Sequence, residues 1–104
     1  MQVEILKPHR DTAWIDLVVN DRWVQAKVYD EPSTYGVNDC RVSKLCVAKK
    51  GIRLLGLASG IPFFDGLDYN YDRGLDFHND GLPQEELDAI LEWLNNLPKK
   101  FEDE

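Results

Sequence analysis

Between residues 13 and 30 the chain reads AWIDLVVNDRWVQAKVYD, with apolar and polar side chains alternating on either side of Asn20-Asp21. A period of two sends successive side chains to opposite faces of a strand, and Asn-Asp tolerates the positive φ angles of a two-residue hairpin turn. The pattern therefore predicts a hairpin in which Val19 faces Arg22, Val18 faces Trp23, Leu17 faces Val24, Asp16 faces Gln25, Ile15 faces Ala26 and Trp14 faces Lys27. Its two faces are unlike. Ile15, Leu17, Val24, Ala26 and Val28 make an apolar one; Trp14, Asp16, Val18, Trp23, Gln25, Lys27 and Tyr29 make an amphipathic one.

The remaining elements follow from the same kind of pattern. VEIL (residues 3–6) predicts a short first strand ended by Pro8, and RVSKLCVAKK (41–50), apolar on both sides, predicts a central strand. IRLLGLA (52–58) fits a strand or a short helix, SGIPFFDG breaks it, and LDYNYD (67–72) predicts a final strand. From Pro83 the period becomes helical: Leu87, Ile90, Leu91, Leu94 and Leu97 form one stripe, with Pro83 at the start, Glu85 and Glu86 in the first turn and Pro98 forbidding continuation. The fold class expected is α+β: an antiparallel β-sheet of four to six strands with one C-terminal α-helix packed on one face. It forms a single small domain over residues 1–104, with the tail 99–104 frayed. The helix stripe should seal the Ile15–Val28 face, leaving the tryptophan face open, covered by the Phe63–Phe64 loop (59–68), or paired with a second copy of the chain in a homodimer.

Charge narrows the partners. Nineteen acidic against twelve basic side chains give −7, which argues against direct nucleic-acid binding, since phosphate contacts need clustered Lys and Arg. The acid gathers between residues 65 and 80 and again after residue 85, as expected for solubility or for a basic partner. MQVEILKPHR has no apolar stretch behind a basic one, and no window approaches the ~20 apolar residues of a membrane span. The expectation is a soluble cytoplasmic protein, off the membrane. Cys40 and Cys46, six apart on one strand and so about 20 Å apart at ~3.3 Å per residue, cannot bridge each other there.

Catalytic and metal signatures are weak. Ser59 in GLASG lacks nucleophile-elbow spacing, a Cys40 or Cys46 dyad with His9 or His78 is a chance-level match, and no glycine-rich phosphate loop occurs. Asp65, Asp68, Asp72, Asp76 and Asp80 lack the spacing and closing Glu of a calcium loop. No metal, no cofactor and no catalysis are expected.

More suggestive is YDEPSTYGVNDCRVSKL (29–45), a long polar loop between two strands. Asp30, Ser33, Asn38 and Asp39 can bond nearby backbone, Pro32 fixes a bend and Gly36 can take positive φ, so the loop reads as scaffolding. Glu31 can also pair with Arg41 or Lys44 and close it. Its functional reading places Arg41 and Ser43 on one strand face, Lys44 on the other and Tyr35 just upstream. With Arg73 from NYDRG, these offer a guanidinium, a hydroxyl, ammonium charge and an aromatic ring to an anionic or nucleotide-like ligand.

QAKVYDEPSTYGVNDCRVSKL (25–45) and YNYDRGLD (69–76), followed by a C-terminal helix, resemble an uncharacterised family of small phage, prophage and mobile-element proteins. Cys40 stands where that family often has Gly, Leu75 where it often has an aromatic, and LLGLASGIPFFDG reads as an insertion. The resemblance implies a shared loop and a mobile-element setting, hence the host cytoplasm, but no reaction. By analogy with small accessory proteins of that setting, it implies antagonism of host defence. Two functions are therefore expected to compete. One is a non-catalytic binding protein holding a small anionic ligand through Tyr35, Arg41, Ser43, Lys44 and Arg73. The other is an acidic interaction domain, a nucleic-acid mimic blocking a basic protein surface. It would use Asp65, Asp68, Asp72, Asp76 and Asp80 beside Trp14, Trp23, Lys27 and Tyr29.

Overall fold

Six antiparallel strands and one helix account for the regular structure in the computed structural model, which describes residues 1–7, 13–55 and 60–98. In chain order they are β1 (Val3–Lys7), β2 (Trp14–Val19), β3 (Arg22–Val28), β4 (Val42–Ala48), β5 (Leu67–Asp72), β6 (Leu75–His78) and α1 (Gln84–Asn95). The strands pair in sequence order, so the sheet is a meander. The β2–β3 hairpin has the expected register, Trp14 opposite Lys27 through Val19 opposite Arg22, and Asn20 and Asp21 both take positive φ. Two expectations change. A sixth strand, β6, follows the one read as last, and residues 52–55 form neither strand nor helix; 56–58, like Pro8, His9 and the tail 99–104, lie outside the described residues.

Helix α1 lies on the expected face. Leu87, Ile90, Leu91 and Leu94 pack with Ile15, Leu17, Val24, Ala26, Val28, Leu45 and Val47 in one core, with Leu97 against it. The helix spans twelve residues and carries only one apolar stripe, so tertiary burial supplies most of its stability.

A buried arginine holds each end of α1. At its start, Arg22 donates to Glu86 (3.0 Å), Asp68 (3.1 Å) and the carbonyls of Ala48 (3.0 Å) and Gly81 (2.6 Å). At its end, Arg41 donates to the carbonyls of Asn95 (2.9 Å), Leu97 (2.6 Å) and Tyr29 (2.7 Å), and its backbone N–H to the Asn95 side chain (3.2 Å). The Asn95 carbonyl is among those a helix terminus leaves without an intrahelical partner and Leu97 lies just past the helix, so Arg41 caps the C-terminal end of α1 while tying it to Tyr29 at the end of β3.

The reverse face of the sheet divides in two. Trp23 is buried with Ala48, Leu55 and Leu67, and Ile52 and Phe63 close over them; the Trp23 and Phe63 rings meet edge-on at 6.1 Å. At the other end Trp14 and Tyr29 remain 36% and 40% exposed. The Phe63 loop thus covers one tryptophan and leaves the other, so the covered and the open alternatives each hold over half of this face.

Candidate functional site

Built from the backbone, the open half of the reverse face is a row across four strands. Trp14 lies opposite Lys27, Lys27 opposite Lys44, and Lys44 opposite Asp72. A bulge produces this. Val28 pairs with Val42 but Lys27 with Lys44, so Ser43 is an extra residue on β4. Because of it Val42 can join the helix-side core while Lys44, two residues on, emerges on the reverse face.

The side chains along the row are in contact. The Lys27 ammonium lies 5.8 Å from the Trp14 ring centre and 5.2 Å from that of Tyr29; the Lys44 ammonium lies 5.7 Å from Trp14 and 3.6 Å from an Asp72 carboxylate oxygen. A hydrogen bond from Lys27 is the largest influence on the Tyr29 phenol; burial opposes it, but the Lys27 charge, a bond from Ser43 and the Lys44 charge add to the first and hold the phenol below its ordinary value. Arg73, at positive φ in the β5–β6 turn, reaches Asp72 at 3.4 Å and is well exposed. The shelf thus sets Lys27 and Lys44 over two half-exposed aromatics and joins Lys44 and Arg73 at one carboxylate. Like charges directly opposite on neighbouring strands are unfavourable, and here the Trp14 and Tyr29 rings and the Asp72 carboxylate offset part of that cost.

The row beneath is polar and closed on itself. Gln25 donates to Asp16 (3.2 Å), the Cys46 thiol to Asn70 (3.0 Å), and Asn70 to Asp76. Burial, then the charges of Asp72 and Asp76, push the Cys46 thiol up to about 11. A raised folded-state pKa contributes stability that is complete below the unfolded value and is lost as pH rises through the folded one. The free energy of unfolding from urea denaturation is accordingly expected to fall from about pH 9 to 11, by on the order of 2 kcal/mol from this group, and Cys46→Ala to flatten that part of the profile. Cys40 packs on the helix side of the sheet and Cys46 on the reverse side, both as free thiols.

The structure separates the five residues expected to share a ligand. Arg41 is buried in the helix cap, where Nε and Nη1 donate to the carbonyls of Tyr29, Asn95 and Leu97 and the buried Nη2 has no hydrogen-bond partner among the described residues. Arg41 and Ser43 do not form one cluster: the bulge turns Ser43, 3% exposed, towards Tyr29. Tyr35 stands outward on a loop that belongs to the helix side, where Val37 and Cys40 pack into the core and the Tyr71 hydroxyl donates to the Tyr35 and Gly36 carbonyls. Lys44 and Arg73 are brought together at Asp72.

Loop 29–41 is built as scaffolding. Tyr35 N–H bonds the Ser33 hydroxyl, Gly36 N–H the Ser33 carbonyl and Cys40 N–H the Val37 carbonyl. Positive φ falls on Asn38 and Asp39, not on Gly36, whose φ is −76°. Glycine is required at 36 for another reason: a Cβ there would sit 1.9 Å from the Cys40 carbonyl oxygen.

The acidic interaction surface is also altered. Asp68 is an interior residue because Arg22 needs its charge, and Trp23 is interior because Phe63 covers it. Asp72 is shared between Lys44 and Arg73, leaving Asp65, Asp76 and Asp80 as exposed carboxylates of that group. Among the described residues no His, Cys, Asp and Glu cluster suited to a metal occurs, and no helix is long and apolar enough to cross a membrane. Shallow clefts among the described residues lie elsewhere. One, of about 240 Å³, lies at the β2–β3 turn beside Arg53, one of about 250 Å³ before α1, and one of about 150 Å³ between Val37 and Asn95.

Comparison with known proteins adds a family but no activity. A family model described as a domain of unknown function matches residues 13–97, from the start of β2 to just past α1. No curated protein and no solved structure matches.

Proposed function

Since the chain belongs to this family of unknown function, DUF7678, and has no activity to inherit from it, we propose from the open sheet face that it is a non-catalytic binding module for a small anionic, nucleotide-like ligand. The observation that supports this reading is the pair of lysines set directly opposite each other beside exposed Trp14 and Tyr29 in a chain of net charge −7. An anion between the two ammonium groups relieves their repulsion and gains charge-assisted hydrogen bonds, while a flat group finds aromatic surface beside it. The reading moves the site from Tyr35 and Arg41 to Trp14, Lys27, Tyr29 and Lys44, with Arg73 at its edge.

The mobile-element setting implied by the resemblance fits such a module. A small protein of this kind would act in the cytoplasm of the host cell by sequestering a signalling nucleotide and so blunting a defence response. Isothermal titration against adenine nucleotides at low salt tests the binding itself. Wild-type protein is expected to bind, and the folded Lys27→Gln/Lys44→Gln variant to bind roughly 100-fold more weakly, two charge-assisted contacts having been removed. Wild type that binds none of them, or a double variant that binds as well as wild type, rules the reading out.

A further inference from the structure

The charge on the shelf also bears on what kind of anion it accepts, an inference that rests on the binding reading above. Lys44 and Arg73 share the carboxylate of Asp72, Lys27 stands directly opposite Lys44, and the carboxylates of Asp16 and Asp76 in the row beneath accept from Gln25 and Asn70, so the two facing ammonium groups are the charges that an anion on the open row meets. Lysine is a compact point charge on a flexible stem, with no fixed fork to match a planar carboxylate. Two such charges on facing strands are best neutralised by one compact dianion between them. The Trp14 ring is meanwhile covered by the ammonium groups it attracts, at 5.8 Å and 5.7 Å. An anion that draws these ammonium groups away exchanges two cation–π contacts for two charge-assisted hydrogen bonds, and uncovers an indole surface on which a planar base can stack.

We propose that the shelf selects a phosphomonoester dianion carried on a planar aromatic group, as in a nucleoside 5′-monophosphate, in preference to a phosphodiester of the same base. A phosphomonoester carries about −1.5 to −2 near neutral pH and takes up its second proton near pH ~6. A diester is a monoanion throughout that range.

The charged and titratable groups facing the site from each element are Asp16 on β2, Lys27 and Tyr29 on β3, Lys44 and Cys46 on β4, Asp72 on β5 and Asp76 on β6, with Arg73 in the turn. Titration of any of these groups would move the binding of both compounds, so a step near pH ~6 that is seen with the monoester and not with the diester belongs to the ligand.

The test is isothermal titration of the full chain with adenosine 5′-monophosphate and with adenosine 3′,5′-cyclic monophosphate, each at pH 7.5 and pH 5. The pair shares base and sugar and differs in charge, and the cyclic compound controls for titration of any protein group. The monophosphate is expected to bind at least tenfold more tightly at pH 7.5, and to lose about tenfold by pH 5 as roughly nine-tenths of it becomes the monoanion. The cyclic compound is expected to change little. Equal affinities at pH 7.5 with no step, both lost in Lys27→Gln/Lys44→Gln, would overturn the dianion preference and leave the binding face standing. No binding of either compound at pH 7.5 would overturn both.

Discussion

Replacing Arg22 with methionine is expected to lower the free energy of unfolding by about 3–5 kcal/mol, the range for removing one partner of a buried ion pair. The guanidinium is 2% exposed and joins four places at once: the start of β3 that carries it, the end of β4 through Ala48, the start of β5 through Asp68, and the approach to α1 through Gly81 and Glu86. Methionine fills part of the volume but leaves the Asp68 carboxylate buried with no cation beside it, which is why the cost exceeds that of a lost surface pair. Urea denaturation measures the loss. Adding Asp68→Leu to Arg22→Met should recover part of it, because the stranded charge is then gone; a double variant no more stable than the single one would place the cost in packing.

Arg41→Met is expected to destabilise the fold by about 3 kcal/mol, since three carbonyl groups lose a buried charged donor together. Tyr29, Asn95 and Leu97 contribute those carbonyls, so the variant loosens the end of α1 from the β3–β4 loop. Its second readout separates structure from ligand contact. Under conditions where the variant is fully folded, its affinity for adenosine 5′-monophosphate should fall far less than that of Lys27→Gln/Lys44→Gln, because the Arg41 side chain meets the shelf only through the Tyr29 carbonyl. A stable variant with ligand binding abolished would return the site to the loop.

Much of the fold was legible because it depends on local period. The β2–β3 register follows from alternation about Asn20-Asp21, and the helix face from the spacing of Leu87, Ile90, Leu91 and Leu94. The site was less legible, for identifiable reasons. Nothing near Arg41 in sequence announces the Asn95 and Leu97 carbonyls more than fifty positions away that draw it inside. The bulge at Ser43 breaks the alternation that should decide which face each residue joins, so a reading that assumed period two grouped Arg41 with Ser43. Strand β6 was missed because LDFH alternates over only four residues directly after Asp72-Arg73-Gly74, too short a run to stand out from the turn. Trp23 and Trp14 look alike on one strand face; only the path of the Phe63 loop distinguishes them. Lys27 and Lys44 were each named separately, but their adjacency required knowing how β3 and β4 align.

The most direct test of the account is a two-dimensional NMR titration of the ¹⁵N-labelled chain with adenosine 5′-monophosphate at low salt and pH 7.5. The account predicts that the Trp14 indole N–H and the backbone amides of Lys27, Tyr29, Lys44 and Asp72 shift together along one binding curve, while the amides of residues 35–40 and the end of α1 stay in place. Shifts confined to that loop and to Asn95, or none at saturating ligand, would contradict it.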